Sequence, residues 1–449
     1  MTPEDIVRTA EEQGLQLVRF LYCDNGGVIR GKSTHVSALA RRMASGIGLV
    51  KGMQSFTSLD TLAPDATYGP VGEVRLVPDP DTFKILPYAP RSGQMIANMV
   101  ELDRQPWALD PRHFLQRMIA AAADAGFAFD AAFENEFYLA YRRDDGFVPV
   151  DRSLCFSAIG MESTEPVIQD TIAALTNQGL TVELSHPELG WGQQELSIRH
   201  APALQAADNQ ITYRQTVRGV AAQHGMVATL APKPWADQAG SGSHLHWSIW
   251  SADHATNRLV DPEAMAGLSD LGRHAIGGVL QHLPGLLGLT TPSTNSFRRL
   301  QPHYGSSAYT AWGFENREAA VRVPSRYWDD EDGSTNLELK ACDNTANPYI
   351  ALGGVIAAAL DGIQRGLDPG EPVDQDPGNL SDDERERRGI RRFPQTSREA
   401  LDELERDEVL MGALGVGLGT EYLKVRRAEA AAYAEQDEAF ELDNHFFKY

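Results

Sequence analysis

Cysteine is scarce: Cys23, Cys155 and Cys342 are the only three in 449 residues, far apart and odd in number. Such a set supplies neither a disulfide framework nor a CxxC zinc signature, and it suits a reducing compartment. Positive charge is also in short supply. Forty Lys and Arg against 62 Asp and Glu leave a net charge of -22, which argues against binding nucleic acid or an anionic membrane through bulk electrostatics. Long apolar runs are missing as well. A membrane span needs about 20 apolar residues, and GGVLQHLPGLLGL is short and interrupted by His282 and Pro284. The N-terminus, MTPEDIVRTAEEQG, reads as a polar amphipathic helix rather than a signal peptide, so the cytoplasm is the expected location.

What is present has the composition of a globular protein, 42% hydrophobic and 23% charged. Its length predicts two domains. Residues 1–20 read as helical, and LVRFLYCDNGGVIRGKSTH as a hairpin turning at Asn-Gly-Gly. GEVRLVPDP and FKILPYA add strands to this small first unit. In LDRQPWALDPRHF, Asp110 and Pro111 suit the N-cap and first position of a helix, which places the boundary between 1–105 and 106–449. Beyond it, an Ala-rich helix ended by Gly126 alternates with further strands and helices, and Pro369–Asp383 reads as an exposed loop. The fold class expected is α+β, a small unit followed by a large one built on an antiparallel sheet.

Several strands carry side chains that a simple core would reject. In AAFENEFYLAY, Glu134 and Glu136 stand at i and i+2, so both project to one face of an extended strand. Two buried carboxylates that close repel unless something positive lies between them. PELGWGQQELSI places Glu188 and Glu195 on either side of a turn. SGSHLHWSIW puts His244 and His246 on one face, and TNLELKACD does the same for Glu338 and Lys340. Each pattern alone is ordinarily a solvated strand face. Together they form an oxygen-rich set with one or two imidazoles and no thiolate, which suits Mg²⁺ or Mn²⁺ rather than structural zinc. Arg298 and Arg299 in SFRRLQP, with Arg317 and Arg322 in GFENREAAVRVP, need anionic partners if buried. Neither GxxxxGK[ST] nor GxGxxG occurs, so metals and arginines point to a phosphate site not built on a P-loop.

PELGWGQQELSIRHAPALQAADNQITYRQTVRG, APKPWADQAGSGSHLHWSIW, NSFRRLQP, NREAAVRVP and ACDNTANPYIALGG, in this order, resemble the glutamine synthetase family over almost the whole chain. The resemblance implies a small N-terminal β-grasp domain and a large catalytic domain with an antiparallel sheet, assembled as a homo-oligomer of two stacked hexameric rings. It implies that ATP phosphorylates the glutamate γ-carboxylate and that an amine then displaces phosphate. Carried over residue by residue, Glu136, Glu188 and Glu195 would ligate one Mg²⁺ or Mn²⁺, and Glu134, His244 and Glu338 a second. His246 and Ser248 fall where the family contacts ATP, Arg317 and Arg322 on its phosphates, and Gly240 and Arg299 on glutamate. Asp60 is the candidate for the aspartate that reaches a neighbouring subunit's site.

The departures from the family pattern bear on the substrate. Lys340 stands where the ammonia enzymes have an arginine, so a bidentate carboxylate contact is lost. Ala239 precedes Gly240 where Asn is frequent, and Ser381 occupies the place of the adenylylated tyrosine. In RRLQPHYGSS, Gly305 replaces the flap glutamate of the ammonia enzymes, and Trp191 replaces a proline. With His303, Tyr304 and Trp312 adding aromatic surface, the expectation is an apolar amine pocket at Trp191, Tyr304 and Gly305, where each buried methylene contributes about 0.8 kcal/mol. A ligase joining glutamate to a small primary monoamine is thus expected ahead of glutamine synthetase, a polyamine ligase or a dead scaffold.

Overall fold

The computed structural model describes residues 1–144 and 146–449. The first helix, Pro3–Glu12, is shorter than expected: Thr2 caps it, and the chain turns at Gly14 into a strand. The small unit has strands β1 (Leu17–Cys23), β2 (Ile29–His35), β3 (Ile47–Val50), β4 (Glu73–Pro78), β5 (Lys84–Ile85) and β6 (Ser92–Val100). They form a mixed sheet in the order β2-β1-β6-β4-β3, with β1 and β6 parallel and β5 on the end of β6. The β1–β2 turn carries Gly27 at φ 72°, and a Cβ there would lie 2.1 Å from the Thr345 carbonyl oxygen. Glycine therefore lets this hairpin dock on the large unit, where Asn347 Nδ2 donates to the carbonyls of Cys23 and Asp24.

The large unit opens on the helix Pro111–Asp124, where Asp110 accepts from the Arg112 amide and Pro111 sits at the first position. It then adds β7 (Phe127–Arg143), β8 (Gly146–Pro149), β9 (Val182–Pro187), β10 (Gln193–Ile198), β11 (Ala201–Pro202), β12 (Val227–Thr229), β13 (Ser243–Ser251), β14 (Trp312–Phe314), β15 (Val321–Val323) and β16 (Leu337–Leu339). The sheet runs β14-β15-β16-β13-β7-β10-β9, with β8, β11 and β12 also on the long β7. It is antiparallel as expected except at its edge, where β14 and β15 run parallel. Helices Asp270–Thr290 and Pro348–Arg365 pack on each other within the main core. The first continues through Pro284. The expected loop at Pro369–Asp383 ends in a short helix from Asp382, and Val373, Pro377 and Leu380 anchor it inward. Among the described residues, no helix is long and apolar enough to cross a membrane.

Candidate active site

The suspect polar residues lie in a row across the large sheet. On β7, Glu136 faces Glu195 of β10, which on its other side faces His186 of β9. Glu134 of β7 faces His244 of β13. His246 of β13 faces Glu338 of β16, and Glu338 faces Arg322 of β15. The period-2 alternation that raised the question of two carboxylates on one side therefore puts all of them on one face.

Two groups within this row have metal-ligating geometry. The ligand atoms of Glu134, His246 and Glu338 lie within 4.8 Å of one another, as do those of His186, Glu188 and Glu195. His244 belongs with the first, its Nδ1 3.2 Å from Glu134 and 3.4 Å from Glu338. His246 lies slightly farther from the same acids, its Nε2 3.4 Å from Glu134 and 3.8 Å from Glu338. Glu136 is held beside both groups by the Gly242 amide, which donates to it at 2.7 Å. His186, whose nitrogens lie 3.2 Å from Glu195 and 3.5 Å from Glu188, was missed in the sequence. It stands two residues before Glu188 in SHPEL, the same i, i+2 signal used elsewhere.

The electrostatics of the two groups differ. Burial opposes ionisation of Glu338, yet Lys340, His246 and His244 overcome it and hold the carboxyl down at about 2, against repulsion from Glu134. Glu134 behaves alike: burial raises it, and hydrogen bonds to His244 and His246 win, keeping it well below the usual range. His246, despite burial, is pushed up to about 9, chiefly by Glu134. In the other group, burial and then the charges of Glu134 and Glu136 push Glu195 up to about 7, against the pull of His186. Burial and Glu136 likewise raise Glu188. The donors are carboxylates and imidazoles, and Glu338 Oε1 is buried without a hydrogen-bond partner. That combination fits a hard or borderline divalent cation.

The basic side chains are divided. Arg322 pairs with Glu338 at 2.9 Å, and its Nε is buried with no partner. Lys340 Nζ lies 3.3 Å from Glu338 and 3.4 Å from His244 Nδ1, which ties it to the acid row. Arg299 is buried and donates to the carbonyls of Lys340 and Cys342. Gly240 makes room for it, since a Cβ there would stand 2.7 Å from Arg299 Cγ. Arg317 is exposed. Arg298 is spent elsewhere, on Glu441 of the C-terminal helix. Ser248 is buried farther along β13, accepting from the Trp250 indole N–H. Asp60, at φ 57°, is exposed in the small unit and ion-pairs with Arg30 there.

The aromatic surface is less free than expected. Trp312 is core, 1% exposed, with its indole N–H on the Gly370 carbonyl. The cavity it borders is shared with Gly370, Val373 and Arg388 rather than with Trp191, Tyr304 or Gly305. The Trp191 ring carries Arg152 at 4.6 Å, and the Tyr304 ring carries Lys233 at 5.2 Å. These faces are already occupied by the protein's own cations. Gly305 is exposed at φ 67°, and a Cβ there would have nothing within 4 Å.

Two family models cover this chain: the glutamine synthetase N-terminal domain over residues 1–107 and the glutamine synthetase catalytic domain over residues 108–445. A glutamine synthetase of Halobacterium salinarum is 32% identical over 98% of this chain and 95% of its own length. The gamma-glutamylpolyamine synthetase GlnA3 of Streptomyces coelicolor is 35% identical over 95% and 92%. A crystal structure described as a novel glutamine synthase homolog superposes with TM-score 0.86 at 33% identity, covering 97% of this chain and 99% of its own. A GmaS/ADP complex superposes with TM-score 0.84 at 29% identity, covering 97% and 98%. With both domains matched end to end and the acids, imidazoles and arginines gathered on one sheet face, the chain belongs to the glutamine synthetase family.

Proposed function

We propose that this ATP-dependent ligase activates glutamate as γ-glutamyl phosphate and joins it to a small primary amine, giving a γ-glutamylamide, ADP and phosphate. The observation that carries the choice of amine is Gly305. The flap position that bears a carboxylate in the ammonia enzymes has no side chain here and open space around it.

In this reading Glu134, His244, His246 and Glu338 would hold one divalent ion, and Glu136, Glu188, Glu195 and His186 another. Bound Mg²⁺ or Mn²⁺ would neutralise phosphate charge. Arg322 and Arg317 steady the transferred phosphoryl group, and Arg299, with Gly240 and Lys340 beside it, orients glutamate. ATP, glutamate and the amine meet in sites completed by a neighbouring subunit of a double hexameric ring, with Asp60 as the residue offered across the boundary. A polyamine acceptor is a second reading. It is favoured by the similarity to GlnA3 and by two acids at the flap, Glu318 and Asp376, which could receive a distal ammonium.

The test is glutamate-dependent ADP release with methylammonium, longer monoamines, diamines and ammonium in competition. A monoamine kcat/KM well above that for ammonium is expected, and a preference for ammonium overturns the reading. Light scattering on the active species should report a ring-sized oligomer, and a fully active monomer would remove the assembly from it.

A further inference from the structure

An amine nucleophile reaches a site at neutral pH as its ammonium ion, because alkylamines titrate near the lysine value of about 10.4. It needs a carboxylate that is free to meet it. Those on the sheet face are committed. Glu134 and Glu338 are engaged by His246, Lys340 and Arg322 as cations and by His244 as a hydrogen-bond partner. Glu188 and Glu195 belong to the other metal-competent group, with Glu136 beside both. Glu318 is different. It directly follows Arg317, is half-buried, and among the described residues makes no ion pair.

Its place is set by the flap. Residues 301–307 include three with positive φ, His303, Gly305 and Ser307. They are pinned at three points: Ser306 Oγ donates to the Arg299 carbonyl (2.8 Å), His303 Nδ1 bonds Asp376 (2.5 Å), and the Gly305 N–H donates to Glu318 Oε1 (2.7 Å). The Glu318 backbone is itself fixed, since its N–H donates to Asn316 Oδ1 while Asn316 Nδ2 ties to the carbonyls of Val373 and Gln375. The second carboxylate oxygen, Oε2, has no protein hydrogen bond among the described residues. Burial pushes this carboxyl upward, the Gly305 N–H, His303 and Lys340 draw it back, and Asp376 adds to the rise. Two residues on, the Ala320 carbonyl accepts from the Lys340 backbone N–H at 3.0 Å, which sets the Glu318 segment beside the end of the acid row.

We propose that Glu318 supplies the carboxylate that receives the ammonium of the attacking amine. Its backbone lies thirteen residues along the chain from Gly305, yet its oxygen is at that glycine's N–H. This rests on the ligase reading above. In the step that follows, one ammonium proton passes to Glu318. The freed nitrogen lone pair attacks the γ-carbonyl carbon and forms the C–N bond. The carbon–oxygen bond to phosphate breaks with its electron pair on oxygen, and the departing phosphate takes the second nitrogen proton.

Hydroxylamine, unprotonated at neutral pH, separates charge from reactivity. Glu318→Gln keeps an acceptor for the Gly305 N–H and removes only the negative charge. The ratio of kcat/KM for methylammonium to that for hydroxylamine should fall about 10- to 100-fold in this variant, the worth of one charge-assisted hydrogen bond. Glu318→Asp should restore part of it, and KM for ATP and glutamate should move little. An equal fall for both nucleophiles overturns the proposal. So does a normal Glu318→Gln beside a crippled Glu318→Ala, which would make Glu318 only a flap latch, or a loss confined to diamines, which would place it at a distal ammonium. If the wild-type enzyme prefers ammonium, the amine reading fails, and the ammonium-to-hydroxylamine ratio still decides the role of Glu318.

Discussion

On one side of Glu134, each acid faces a basic side chain: His244 opposite Glu134, Glu338 opposite His246, Arg322 opposite Glu338, with burial and Lys340 drawing His244 toward its neutral form. On the other side like faces like, with Glu136 opposite Glu195 and only His186 beyond. Opposite charges directly across a sheet stabilise it, and like charges destabilise it by similar amounts. The first half of the row is therefore held by its own ion pairs before any ligand arrives. The second half has only the His186 imidazole, drawn toward its charged form by Glu195, against three carboxylates. Burial with their mutual repulsion makes the acids resist ionisation, Glu195 most plainly. The same residue types on the same sheet thus make a pre-assembled anchor and a vacancy of charge.

The largest effect should come from the anchor. Glu338 is fully buried and meets Arg322, Lys340 and both histidines. Glu338→Gln leaves Arg322, Lys340 and His246 facing one another without a countercharge. Breaking a buried pair on one side costs about 3–5 kcal/mol, and losing a metal-holding carboxylate should lower turnover by about 10³-fold or more. Urea denaturation and ADP release would measure both. A variant as stable as wild type, or one within tenfold in rate, would show that the two halves do not differ in the way described.

Arg322→Lys is milder. A lysine can keep one contact to Glu338, but it loses the guanidinium fork, whose Nε is buried and unpartnered in this structure. If that free donor serves the transferred phosphoryl group, kcat should fall by about 10²-fold while KM for ATP changes little. A change confined to KM would assign Arg322 to ground-state nucleotide binding and make it part of the anchor alone.

Strand alternation made much of this row legible in the sequence. Glu134 with Glu136, and His244 with His246, could be set on one face from spacing alone, as could Glu338 with Lys340. Which strands lie side by side is a matter of long-range register, and that is why His186 opposite Glu195 went unread. Glu318 was hidden for a related reason. Its meaning depends on a loop thirteen residues away folding back so that Gly305 meets its carboxylate. The sequence counts rings and cannot see that Arg152 and Lys233 stand over Trp191 and Tyr304, which stay exposed, or that Trp312 faces the core.

The smallest effect should also be the most diagnostic. Glu195 is buried among Glu136, Glu188 and Glu134, and its one positive neighbour is an imidazole, His186. Glu195→Gln removes a repelled charge while keeping an oxygen that can accept from His186. Without divalent metal, the variant should be as stable as wild type or more stable, by about 0.5–1 kcal/mol, a rise in Tm of about 1–3 °C. With Mg²⁺ or Mn²⁺ the order should reverse. Wild type gains RT ln(1 + [L]/Kd) from an ion that the variant holds poorly. Thermal melts of both proteins with EDTA and then with millimolar metal would check this. A variant destabilised in EDTA would mean that Glu195 is already compensated, and the contrast between the two halves of the row would collapse.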